Sequence, residues 1–359
     1  MRIPTLPIEH SALLKMLLWA TLAVGALVVA LILTSALIQA WSDRINRRRI
    51  ACFKAWEEAL PEYLYQMKPL EEAFGTISAR DLAFFRAFLL RYRSTLGGED
   101  RRRLRALYHG LGLDAGLPLR LRHSKAVVRA QAALEVETYD CRDLLGPVAG
   151  LLEDGKPFVA FSAARTLARL QSSAHMPGVF AWALRQEDYQ QDRILELLED
   201  FGPELLRWIE STTPAENDAA IWRFYALLAA GLRDDMALPT LIRLLGRPGI
   251  EVQAAALRAL GALGDLSVWE HIRPFFAAEA PPLRLHAARA AGNLGQLLAM
   301  DELVAILEDP VYEVRREAGI ALTSLGNPGL EVLRWVAADL NADRFARDMA
   351  MERLEWGRP

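Results

Sequence analysis

Arginine is the residue type whose spacing in this sequence points to chemistry. Arg165, Arg258 and Arg289 recur at one position of a repeated segment, and Arg223, Arg316 and Arg347 at another. A guanidinium offers a planar fork of donors that grips a carboxylate through two hydrogen bonds, so such a row suits an acidic peptide. Trp222, followed closely by Phe224 and Tyr225, is a second candidate contact, in the most divergent copy of the segment. Groups for catalysis are not arranged to act. The six histidines, His10, His109, His123, His175, His271 and His286, include no His-x-x-x-His pair. Cys52 and Cys141 are too few for a disulfide framework or a cysteine-rich metal site. Gly97-Gly98 lacks the Gly-x-Gly-x-x-Gly context of a nucleotide loop, and no Gly-x-Ser-x-Gly elbow is present. These residues predict no enzyme, no cofactor, no metal and no small-molecule substrate.

The element that must position the arginines repeats every 31 residues: Val128, Val159, Gln190, Ile221, Val252, Leu283, Val314 and Phe345 stand at equivalent positions. Only Gln190 is polar. Twelve residues after these starts, five of eight sites are glycine (Gly202, Gly264, Gly295, Gly326, Gly357), where chance predicts about 0.5, so the period is real. Four residues after them come Ala132, Ala163, Ile194, Tyr225, Ala256, Ala287, Ala318 and Met349. Small residues on one helical face let helices approach closely, and a glycine past the last apolar position ends a helix. Each unit reads as two helices, for instance Met236–Gly246 with Ile250–Leu263 and Met300–Glu308 with Val311–Leu325, divided by turns such as Gly246-Arg247-Pro248-Gly249. No stretch alternates as a strand does.

Ahead of the array, Met16–Ala40 is 25 residues without a charge. At a rise of about 1.5 Å per residue it reaches roughly 37 Å, more than the roughly 30 Å of a hydrocarbon core. Trp19 and Trp41 lie near its ends, as interfacial indoles do. A signal peptide has a shorter apolar core and a small-x-small cleavage site, which Ile38-Gln39-Ala40 does not supply. Arg44, Arg47, Arg48, Arg49 and Lys54 lie just after the span, against Arg2 and Lys15 before it. The positive-inside rule then leaves residues 1–15 outside and the rest cytoplasmic, in a single-pass protein of a bacterial inner membrane. Arg44, Arg47, Arg48 and Arg49 set topology and could also meet anionic headgroups.

Residues 41–116 are helical but out of phase with the repeat. Ile45, Ile50, Phe53, Trp56 and Leu60 give Asp43–Leu60 an apolar stripe, Pro61 and Pro69 interrupt the helical pattern after it, and Leu82–Leu96 and Glu99–Gly110 read as a helical hairpin capping the array. Arg101, Arg102, Arg103 and Arg105 form a solvated or lipid-facing side. Residues 117–359 hold the repeats. A net charge of −3 argues against a nucleic-acid partner.

The stretch Leu303–Pro310, LVAILEDP, with Glu313–Ala318, EVRREA, and Ala321–Asn327, ALTSLGN, resembles the short bacterial HEAT repeat, the type also found in phycobilin-lyase-like proteins. Leu238–Leu245, LPTLIRLL, opens a second close copy. The likeness covers roughly two thirds of the chain. It implies an all-α fold: an α-α superhelix, or HEAT/armadillo-like solenoid, here preceded by one transmembrane helix, with second helices lining the concave face. It further implies that Arg129, Arg284 and Arg315 pair with turn acids such as Asp154 and Asp309. The His-Glu pairs with which one HEAT-type hydroxylase family binds iron are missing. The expected function is a membrane-anchored scaffold or adaptor whose partner is a protein, membrane-associated or bearing an acidic segment. A chaperone or chromophore-lyase-like helper and a lipid-surface module are the alternatives.

Overall fold

A computed structural model describes residues 10–65, 68–74, 77–92, 97–186, 191–212 and 219–356. The first nine residues of the expected outer segment, and the repeat positions Gln190 and Gly357, lie outside the described residues. The described residues form twenty α-helices joined by turns and short 3-10 segments, with no strand among them. Contacts divide the chain into two compact units, Met1–Gly116 and Leu117–Pro359.

In the first unit, α1 (His10–Tyr65) is one helix of 56 residues. From Leu17 to Ala51 its side chains are exposed, the apolar ones included. From Phe53 onward the helix turns a face to protein. Trp56, Leu60 and Leu64 are buried with Phe85, Phe88 and Leu89 of α3 (Leu82–Arg91) and with Leu104, Leu107 and Tyr108 of α4 (Gly98–Gly110). Trp56 meets Phe85 edge to face at 4.9 Å between centroids, a favoured geometry for rings. Two expectations need correction here. Ile45 and Ile50 are exposed, so the apolar stripe starts at Phe53. Pro61 does not end the helix, which continues to Tyr65 because Leu60 and Leu64, on either side of it, are held in the core. A short α2 (Leu70–Phe74) comes next.

The second unit is a stack of helix pairs. First helices are α5 (Leu117–Leu121), α7 (Leu145–Ala149), α9 (Met176–Leu184), α11 (Pro203–Thr212), α13 (Leu238–Leu245), α15 (Trp269–Ile272), α17 (Met300–Ala305) and α19 (Asn327–Ala338). Second helices are α6 (Ala126–Tyr139), α8 (Pro157–Arg169), α10 (Gln191–Glu199), α12 (Ala219–Leu232), α14 (Ile250–Leu263), α16 (Pro281–Leu294), α18 (Tyr312–Ser324) and α20 (Arg344–Trp356). Several first helices finish in 3-10 turns, such as Arg273–Ala277 and Ile306–Glu308.

The period has a backbone cause at its twelfth position. Gly202, Gly264, Gly295 and Gly326 all have positive φ, and the non-glycine residues at the same position, Asp140, Gln171 and Arg233, adopt it too. Every second helix from α6 to α18 is therefore followed by a residue of positive φ, left-handed at Asp140, Gly264 and Gly295 but with ψ −144° at Gly326, a region that glycine alone enters readily. The fourth position supplies the core: Ala132, Ala163, Ile194, Tyr225, Ala256, Ala287, Ala318 and Met349 are all buried.

Consecutive second helices pack closely against one another, above all from α12 through α18. Small residues permit this. A Cβ added at Gly261 of α14 would stand 2.6 Å from the Ala290 Cα of α16, and one at Gly292 of α16 would stand 2.9 Å from the Ala321 Cα of α18. Alanine for glycine inside a helix normally stabilises by about 0.5–1 kcal/mol. Here the clash reverses the sign: Gly261→Ala is expected to destabilise the stack by about 1–3 kcal/mol. Thermal unfolding followed by circular dichroism checks this, and an unchanged or raised midpoint would contradict the packing.

Candidate partner-binding face of the helix stack

Arginines leave the second helices in two different directions. The first set is structural. Arg129 donates through Nε and Nη2 to Asp154 at 2.7 and 2.9 Å, and through Nη1 to the carbonyls of His123 and Ser124. Arg284 repeats this pattern, with Asp309 at 2.5 and 3.0 Å and the carbonyls of Ala278 and Glu279. Each aspartate also accepts a backbone N–H of its own turn, from Lys156 and Val311. One guanidinium thus ties its own turn to that of the next unit. Arg315 bonds the carbonyls of Asp309 and Pro310, but Leu340 stands where the next aspartate would be, and its guanidinium lies 4.7 Å from the Phe345 ring centre.

Elsewhere the rung is rebuilt. Trp222 occupies the arginine position and Arg247 the aspartate position, with the guanidinium 4.9 Å from the indole centre. Such a contact replaces an ion pair by attraction to the ring face. Trp222 is only 4% exposed. It belongs to the core with Arg247 over the ring, so this candidate contact is not open on the surface. At Ala160 the side chain is too short to bridge, leaving a cavity of about 320 Å³ lined by Asp154, Pro157, Ala160, Trp182, Arg185 and Gln186.

The second set lies along the face that second helices turn away from first helices. Arg165 pairs with Glu137 at 3.1 Å, and Arg289 grips Glu317 through two bonds of 2.7 and 2.8 Å. Arg223 is half-buried and engaged, while Arg347 is half-buried with its Nε lacking a hydrogen bond. Arg258 and Arg316 are exposed and make no ion pair or hydrogen bond among the described residues. Acids interrupt the row: Glu196, Glu199 and Asp200 stand on or just after α10, with Asp200 held by Arg169 at 2.9 Å. Burial, then neighbouring carboxylates, pushes the Glu199 carboxyl above its ordinary range. The face is a charge mosaic rather than a uniformly basic groove, with Arg258 and Arg316 both towards its C-terminal half.

Near the apolar half of α1, Arg44 and Arg47 are exposed, and Arg49 donates to the Asn46 side chain at 2.7 Å. Arg48 differs: its Nε and Nη2 meet Asp81, a buried carboxylate, at 2.9 Å each. It fastens the start of α3 to α1. No group of three or more His, Cys, Asp and Glu side chains is gathered for a metal among the described residues. Cys141 is buried and Cys52 half-buried.

Helix pairs stacked in one direction, tied by arginine–aspartate rungs at Arg129–Asp154 and Arg284–Asp309, define the architecture. The fold is a HEAT-type helical-repeat solenoid. No protein-family model and no curated protein sequence matches the chain. Solved structures similar to it include the complex of CpcE and CpcF of phycocyanin lyase from Nostoc sp. PCC7120, at 23% identity and TM-score 0.29, covering 68% of this chain and 88% of that one. Human deoxyhypusine hydroxylase in complex with glycerol is similar at 17% identity and TM-score 0.28, covering 85% and 96%. Kap121p is similar at 11% identity and TM-score 0.35, covering 86% of this chain and 45% of that one.

The rungs set the acid sensitivity of this HEAT-type solenoid. For Asp154, the hydrogen bond from Arg129 holds the carboxyl below its ordinary value. For Asp309, burial pushes upward, but the bonds from Arg284 and Val311 outweigh it and the net direction is down. A depressed carboxyl stabilises the fold above its unfolded pKa of about 3.9, and that contribution is lost as pH falls through the folded value. Asp309→Asn leaves Arg284 without its anion and is expected to cost about 2 kcal/mol at pH 7. The loss relative to wild type should shrink below about pH 4 in denaturation experiments; a constant difference would contradict the rung.

Proposed function

We propose that this protein is a membrane-anchored scaffold that holds a protein partner along the second-helix face of its HEAT-type solenoid. The observation that carries the reading is the mosaic of charged side chains on that face, with Arg258 and Arg316 exposed and unneutralised beside a closely packed helix layer. Stacked helix pairs present a long surface that changes little on binding, which favours recognition over chemistry. The anchor is α1: Leu17–Trp41 is apolar, exposed throughout and long enough to cross a bilayer. Arg44, Arg47, Arg48 and Arg49 favour an orientation in which the residues after the span are cytoplasmic. Confinement to the membrane raises the effective concentration of the scaffold for partners in the same plane.

Alkaline carbonate extraction should leave the chain in the membrane pellet, and release into the supernatant would remove the anchor. Proximity labelling in the native host should mark a reproducible protein set that is lost on deletion of residues 117–359. A set indifferent to that deletion would refute the scaffold reading. Visible absorbance on co-expression with a bilin would instead favour a pigment-handling role.

A further inference from the structure

The face repeats one pairing in two consecutive steps and completes it only once. Arg289 of α16 stands six residues after Leu283, and its acid, Glu317 of α18, three residues after Val314. One repeat earlier the equivalent positions are Arg258 of α14 and His286 of α16. Histidine therefore sits where the carboxylate sits next door. Arg289 is gripped at 2.7 and 2.8 Å by both oxygens of Glu317. Arg258 is exposed and has no ion pair or hydrogen bond among the described residues, and the Nδ1 of His286 is buried without a hydrogen bond.

We propose that Arg258 and His286 form a seat for a carboxylate side chain from an acidic segment of the partner protein. This rests on the second-helix face being the partner surface. The neighbouring pair shows what the arginine position accepts: a planar carboxylate, held bidentately. Arg316 of α18 is a second exposed cation on the same face, two helices further along. With packed helices about 8–10 Å apart, that distance corresponds to roughly six residues of extended chain, so one acidic segment can reach both.

The seat couples binding to protons. Burial, then the charges of Arg289 on its own helix and Arg258 on α14, pushes His286 below its ordinary value, while Glu317 on α18 and Glu251 on α14 oppose this. The free imidazole is neutral at pH 7. A carboxylate placed beside it favours the charged form, so the complex binds more protons than the free protein. Affinity therefore rises as pH falls through the imidazole's value in the complex, and Arg258 supplies attraction at every pH.

The test uses the full chain in detergent micelles and a fluorescently labelled deca-glutamate peptide, with deca-glutamine as control, followed by anisotropy between pH 5.5 and 8. Wild type should bind deca-glutamate more tightly at the acidic end. Arg258→Gln should weaken binding about tenfold. His286→Gln should flatten the pH dependence while leaving the helical circular dichroism intact. Glu317→Gln frees Arg289 and should tighten binding about threefold, an effect that a damaged fold cannot imitate. The seat is overturned by absence of deca-glutamate binding to wild type, by Arg258→Gln binding within twofold of it, or by an unchanged pH profile in His286→Gln. Preference for a phosphoserine peptide over deca-glutamate overturns the carboxylate assignment. A labelled partner set that is lost with residues 117–359 but indifferent to Arg258→Gln leaves the scaffold standing and removes the seat.

Discussion

Two second helices can lie side by side only as closely as the residues between them allow. In α14, α16 and α18 those residues are glycine and alanine, and backbone meets backbone at Gly261 against Ala290 and at Gly292 against Ala321. The other features of the stack depend on that approach. The same tight layer brings side chains from three successive helices within reach of one another, which is why Arg289 can meet Glu317 and why His286 feels both Arg258 and Arg289.

Charge on the solenoid is divided between two jobs by direction alone. An arginine one residue after the aliphatic start points along the stack, finds carbonyls of its own turn and an aspartate of the next, and is consumed in holding units together. One placed five residues later faces solvent, where an acid on a neighbouring helix sometimes neutralises it and sometimes does not. Near-neutral net charge therefore coexists with a locally unbalanced surface.

Much of this architecture is legible in residue types at fixed offsets: the 31-residue period, the glycine position and the buried fourth position; the Arg129–Asp154 and Arg284–Asp309 rungs are implied only by the resemblance to the HEAT repeat. The misreadings fall where an offset must be read between two changed residues at once. Trp222 reads as a candidate contact until Arg247, 25 positions on, is recognised as its cover. Asp140, Gln171 and Arg233 share the left-handed turn without glycine to announce it. In the first unit no period exists to guide pairing, so the Arg48–Asp81 contact, between residues 33 apart, left no sign in the sequence.

The unbroken course of α1 has a mechanical consequence. Trp56 lies 15 residues beyond Trp41, about 22 Å along a continuous helix axis. There is no hinge between them: the backbone stays helical throughout, and Arg48 and Asp81 clamp the helix partway. A tilt of about 10° applied to the apolar half would carry Trp56 sideways by roughly 4 Å, more than a core packed edge to face can absorb without moving as a body. Whatever leans on the apolar end of this lever is felt, undamped, in the aromatic core at the other.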